Sequence, residues 1–245
     1  MPRRSISSTG SLSKTILFVV HSAWRERRVA PLLRSRGYEI EYRCPAMGDR
    51  LPDDRAAYAG AIVFGGTQSA NDAPSAPYLQ HEIDWIRGHV DAGGRYLGIC
   101  LGGQLLARAL EAPVSRHQDG VVEIGYYAVT PTEEGRDLFP DSLHVYHWHE
   151  EGFDLPEGAS LLARGGNAFP NQAFRWRSSA YGFQFHPEVT ADSARGWLSD
   201  CGNSLSRPGA QPRDHQEAQM GRHDPALHNW VDGFLDHWLA LPHLA

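Results

Sequence analysis

The chain is poor in cysteine: its 245 residues include three, Cys44, Cys100 and Cys201. An odd, sparse set excludes the disulfide framework of a small secreted domain and fits a reducing, cytoplasmic setting. A chain of this length buries enough apolar surface to fold without such staples. Positive charge is also scarce, with 23 Lys and Arg against 29 Asp and Glu and a formal net charge of -6. That balance leaves no basic footprint for nucleic acid. Long apolar runs are missing too. The first one, "ILFVV", has neither the length nor the cleavage pattern of a signal peptide, and none approaches a membrane span. No Gly-rich stretch is followed by G-K-[ST], so no P-loop and no nucleotide cofactor are expected.

What is present is an alternation of short aliphatic runs with helical patterns. Ile16–Val20, Tyr38–Arg43, Gly60–Phe64 and Tyr96–Ile99 read as strands. A helix around Arg28–Ser35 stops at Gly37. A second carries Leu79, Ile83, Ile86 and Val90 at spacings of one helical face and ends at Gly93-Gly94. A third covers Gly103–Glu111. Aliphatic strands with helices between them imply a parallel sheet covered on both faces. In the second half, Val121–Val129, Ser142–His147 and Tyr181–Phe185 read as strands joined without long helices, hence a mixed or antiparallel extension. Asn203–His223 is expected to be a long exposed loop. A closing amphipathic helix is expected over about Asp224–Ala240, with Leu227, Trp230, Val231, Phe234 and Trp238 on one side. Residues 1–13 are expected to be a disordered tail and 14–245 a single domain.

Three separate stretches carry chemistry. In "YLGICLGGQ" a strand ends at Ile99 and a helix begins by Gly102, which leaves Cys100 on the turn between them. Such a turn strains a nucleophile outward at the carboxyl end of a sheet, and the helix start beyond favours thiolate. The glycines at 98, 102 and 103 fit that turn, but they fit a small buried cysteine as well. In "GFQFHPEV", His186 and Glu188 fall on one side at strand spacing, so the carboxylate can hold the imidazole in one tautomer. A lone His among thirteen is more often a surface residue, and only the acid two positions on argues otherwise. In "VFGGTQSAND", Gly65-Gly66 can bring backbone amides close to a ligand, or can serve a plain tight turn.

Together "GICLGGQ", "FHPE" and "VFGG" resemble the signature of class I (triad) glutamine amidotransferases, over roughly residues 15–189. "PYLQHEIDWIR", "YHWHEEGFDLPEGASLLA", "NQAFRW" and "LHNWVDGFLDHWL" look like the stand-alone members related to the glutaminase domain of GMP synthase. The resemblance implies a flavodoxin-like, three-layer α/β fold with a mostly parallel central sheet and a mixed or antiparallel extension. It implies that Cys100 attacks the γ-carbonyl of glutamine or another γ-glutamyl compound, that His186 moves the proton and that Glu188 orients His186. Backbone amides of Gly66 and Leu101 would form the oxyanion hole, while Gly65, Gln104, His149 and Glu150 would line the substrate site. Two positions depart from the pattern. Thr67 stands where many relatives have proline, and Glu150 stands where they commonly have glycine, beside the expected pocket wall.

The resemblance leaves the acceptor open. One version is a glutaminase passing ammonia to a separate synthetase partner, because no synthetase domain is fused here. A second is a self-sufficient hydrolase of γ-glutamyl peptides, and a third is a silent binding or regulatory module of the same fold. His144, His147 and His149 cluster in sequence, with His147 and His149 on one strand face, but no suitably spaced carboxylate or cysteine completes a metal site. No metal and no cofactor are therefore expected. The partner foreseen is a small molecule, with no nucleic acid and no membrane.

Overall fold

The computed structural model describes residues 14–22, 28–200 and 202–242, so the expected tail and Cys201 lie outside the described residues. Strands β1 (Thr15–Val19), β2 (Glu39–Arg43), β3 (Gly60–Val63) and β4 (Tyr96–Ile99) alternate with α1 (Val29–Ser35) and α2 (Pro77–Asp91), and α3 (Leu101–Ala109) follows β4. Next come β5 (Val114–Arg116), β6 (Glu123–Pro131), β7 (Leu143–His149), β8 (Glu151–Phe153), β9 (Ser160–Gly165), β10 (Asn171–Trp176) and β11 (Ala180–Phe183). Helices α4 (Ala191–Asp200) and α5 (Arg213–Ala240) close the described chain.

Nine strands form one sheet in the order β2-β1-β3-β4-β11-β10-β9-β6-β7, and β5 pairs with β8 apart from it. The pairings from β2 through β11 are parallel, and those from β11 to β7 are antiparallel. Alternate residues of β1 explain the three layers. Ile16 and Phe18 pack under α1 and α5 with Leu33, Val231, Phe234 and Trp238. Leu17 and Val19 face the other way, against Ile83, Ile86, Leu105 and Leu106 of α2 and α3. Both faces of a parallel sheet are thus covered, as its continuous aliphatic runs require. The fold is the flavodoxin-like α/β arrangement with its antiparallel extension.

One expectation fails. Asn203–His223 is not a long loop: a short 3-10 stretch, Gly202–Ser206, leads to a helix of 28 residues that starts at Arg213. Its first turns look polar in sequence because only Gln216 and Met220 are buried there, and Pro225 sits inside the helix where a break would be expected. The adjacent Asp224 supplies an anchor, accepting from the buried Arg28 guanidinium, which also donates to the Val189 carbonyl at 2.8 Å. Helix α4, in a stretch expected to lack long helices, was equally hard to see because only Ala194 and Leu198 of it are buried. Among the described residues, no helix is long and apolar enough to cross a membrane.

Candidate active site

Strands β3, β4 and β11 are hydrogen-bonded neighbours and run parallel, with Val63 beside Gly98 and Ile99 beside Phe183. Their carboxyl ends therefore open on the same edge, where open α/β sheets hold their ligands. Cys100 follows β4 with φ 51° and ψ -108°, a conformation that L-residues seldom adopt and that is strained for a side chain of this size. The turn is held by the Cys100 amide, which donates to the Phe183 carbonyl at 2.8 Å. Close approach explains Gly102: a Cβ there would lie 2.0 Å from the Val63 carbonyl oxygen. The thiol is buried, with 5% of the residue exposed.

His186 comes from just beyond β11. Its backbone amide is fixed by the Tyr146 carbonyl at 2.8 Å, and its Nδ1 lies 2.8 Å from Glu188 Oε1. Trp197 of α4 packs edge-on against the ring, with centroids 4.9 Å apart. Burial disfavours the imidazolium, but the Glu188 carboxylate and then the Cys100 sulfur outweigh it and push His186 up to about 10. The Nε2 of His186 has no regular hydrogen bond among the described residues. Gly65 lies against both partners, since a Cβ on it would stand 2.8 Å from His186 Cε1 and 3.5 Å from Cys100 Cβ. The same construction on Gly66 meets Leu101 Cδ2 at 2.9 Å, so these two residues are neighbours. Their amide N–H groups find no acceptor in the chain among the described hydrogen bonds.

The other foreseen residues form a supporting layer. Gln104 Nε2 donates to the Glu151 carbonyl at 2.9 Å and sits 3.3 Å from Gln184 Oε1, while Gln184 Nε2 reaches Cys100 Sγ at 4.0 Å. His149 Nδ1 meets the same Glu151 carbonyl at 2.9 Å. Glu150 turns elsewhere: Arg116 binds one carboxylate oxygen at 2.6 Å and Arg207 binds the other. Sequence reasoning passed over Gln184, Trp197, His21 and Glu123. Gln184 stands inside "GFQFHPEV" as a polar residue with no exposed area, and His21 ends the aliphatic run of β1 at the ligand edge. Both were visible as polar residues in apolar company. Trp197 had no such signal.

The carboxylate missing beside the histidines comes from the neighbouring strand, where Glu123 of β6 lies opposite His149 of β7. Glu123 Oε2 is 3.1 Å from His149 Nε2 and 3.4 Å from His147 Nδ1, and it accepts from Gln172 Nε2 at 2.9 Å. These three side chains are the set whose donor atoms could share a metal ion. Ring protons account for the same contacts. As a ligand, His147 would need an outer partner for Nε2, and that nitrogen has none among the described residues. Burial pushes His147 down to about 3, which keeps it neutral beside the charged acid. His144 faces away and stacks on His223, with ring centroids 4.1 Å apart.

The sequence profile of the class-I glutamine amidotransferases matches residues 27–201. The chain belongs to the class-I glutamine amidotransferase family. Within that family it is 31% identical to a glutamine amidotransferase-like protein, YfeJ, of Salmonella typhimurium, over 77% of this chain and 82% of that one. It is 30% identical to one of the subunits of the glutamine-hydrolyzing GMP synthase of Thermococcus kodakarensis, over 75% of this chain and 93% of that one. A crystal structure of a glutamine amidotransferase from Thermotoga maritima superposes with a TM-score of 0.83 at 28% identity, covering 92% of this chain and 98% of that one. As an amidotransferase of this class, the chain falls among enzymes of glutamine hydrolysis.

Proposed function

We propose that the chain hydrolyses the γ-amide of glutamine through a γ-glutamyl thioester on Cys100, and hands the ammonia to a separate synthetase partner. The observation that carries this reading is the strained, buried Cys100 beside a His186–Glu188 pair delivered by the adjacent parallel strand. His186 takes the thiol proton, and the sulfur adds to the γ-carbonyl carbon. The carbonyl oxygen becomes an oxyanion that the Gly66 and Leu101 amides, free of other acceptors, are suited to receive. As the tetrahedral centre collapses, the C–N bond breaks and His186 returns its proton to the departing ammonia. Water then gives a proton to His186 and its oxygen to the thioester carbon. A second oxyanion forms in the same place, and glutamate leaves as the thiol is restored. Glu188 keeps the ring aimed through both halves, and no metal ion or cofactor is called upon.

The likeness to the GMP synthase chain of Thermococcus kodakarensis, itself one of several subunits, supports the separate partner. Purified protein incubated with glutamine, and separately with a γ-glutamyl dipeptide, tests the reading by glutamate release beside a Cys100→Ala control. Cys100-dependent release from glutamine is expected, faster once a synthetase partner is added. Release from the dipeptide alone would transfer the activity to γ-glutamyl peptides. Equal release by Cys100→Ala and the parent would sink the covalent mechanism.

A further inference from the structure

The reaction just described makes no use of a charge pair buried beside it. His21 follows β1, Glu82 lies in the middle of α2, and neither side chain has any exposed area. Such a pair contributes little net stability, because desolvating two charges costs about as much as their attraction returns. Its placement is more telling. His21 Nε2 lies 3.1 Å and 3.2 Å from the two Glu82 oxygens, and Nδ1 lies 3.2 Å from the Gly65 carbonyl oxygen. A carboxylate and a carbonyl only accept, so both ring nitrogens must carry protons and the ring is an imidazolium. Burial opposes that charge, and Glu82 outweighs it, raising His21 above its ordinary value.

The bond to Gly65 has a geometric consequence. The Gly65–Gly66 peptide is trans, so its C=O and N–H point in opposite directions. With the oxygen held on the His21 side, the Gly66 N–H is directed away from it. On the far side of Gly65 stand His186 and Cys100. Two consecutive glycines offer little resistance to a half-turn of the peptide between them. Such a turn would aim the carbonyl, not the N–H, at a developing oxyanion. Some fixed donor must prevent it, and His21 is that donor.

We propose that His21, braced by Glu82, is a positioning residue that locks the Gly65–Gly66 peptide with its N–H turned toward Cys100, so the oxyanion site exists before substrate arrives. This rests on the reading of Cys100 as nucleophile. The simple variant His21→Ala would leave Glu82 buried and unpaired, which can unfold the protein for reasons unrelated to the peptide. Two double variants avoid this, His21→Asn with Glu82→Gln and His21→Ala with Glu82→Gln. They share the neutralised acid and differ in the donor, since an Asn amide nitrogen occupies the place of Nδ1.

Three quantities are measured for each: kcat and KM for glutamate release, and the rate of Cys100 alkylation by iodoacetamide, a reaction that needs the triad but no oxyanion site. The Ala form is expected to lose about 10²–10³ in kcat, the usual effect of losing one oxyanion donor. Its KM and alkylation rate should stay near those of the parent, and the Asn form should recover most of kcat. Equal kcat in the two forms overturns the proposal. So does an alkylation rate that falls in step with turnover, since that is damage to the whole site. Absence of turnover in the parent strikes the hydrolase reading first, and this proposal with it.

Discussion

At the scale of single residues the site is decided by contact distances rather than by residue type. Gly65 is held to glycine by the imidazole 2.8 Å from where a Cβ would stand. Gly65→Ala should push His186 off Glu188, so both turnover and iodoacetamide alkylation fall by more than about tenfold while the protein stays folded, as read by circular dichroism. His186 also leaves a signature in stability. Its folded value, about 10, lies above the ordinary 6.5, so the protonated ring stabilises the fold fully below pH 6.5 and ceases to do so as pH rises through about 10. Glu188→Gln removes the main support for that charge. The gap in melting temperature between parent and Glu188→Gln should be widest near pH 6 and close above pH 10 in thermal scans; a gap constant with pH would contradict the ion pair.

At the scale of elements, the strands that hold the site were legible and the long closing helix only in part. The four aliphatic strands of the parallel half, the Cys100 turn and the His186–Glu188 spacing follow from local pattern, because each is buried on both sides or fixed by glycine. Helix α5 was legible only where its apolar face is complete, from Leu227 onward; before that its buried positions are Gln216 and Met220. The Glu123 contact was illegible for another reason. It lies 26 positions from His149 in sequence but directly opposite in register, and strand pairing is not written in local pattern. The legible end of α5 also has an energetic consequence. Trp238 is fully buried against β3 and its indole N–H donates to the Tyr96 carbonyl of β4 at 3.3 Å. Trp238→Ala should cost about 3–5 kcal/mol in urea unfolding, the usual loss for a large buried aromatic. A loss under about 1 kcal/mol would mean that the helix does not clamp the sheet.

For the whole molecule, Glu150 ties distant parts of the chain together: Arg116 belongs to β5, Arg207 to the approach to α5, and Glu150 to the junction of β7 and β8. These side chains are between one third and two thirds exposed, so their attraction is weak in water. Glu150→Gly should change unfolding free energy by less than about 1 kcal/mol. Its effect should appear in substrate choice, as a changed ratio of kcat/KM between glutamine and a γ-glutamyl dipeptide. An unchanged ratio would remove Glu150 from the substrate site.

The adjacency of β4 and β11 has a consequence for how the enzyme comes into being. Cys100 and Gln184 touch although 84 positions separate them, and the antiparallel half of the sheet lies between. Contacts of such long range form late and slowly, because the loop between them must close first. A ribosome that has released Cys100 must still deliver everything up to Glu188 before the sulfur meets its base. Until then the nascent chain carries an ordinary thiol, so an interrupted translation product is harmless to the cell's glutamine.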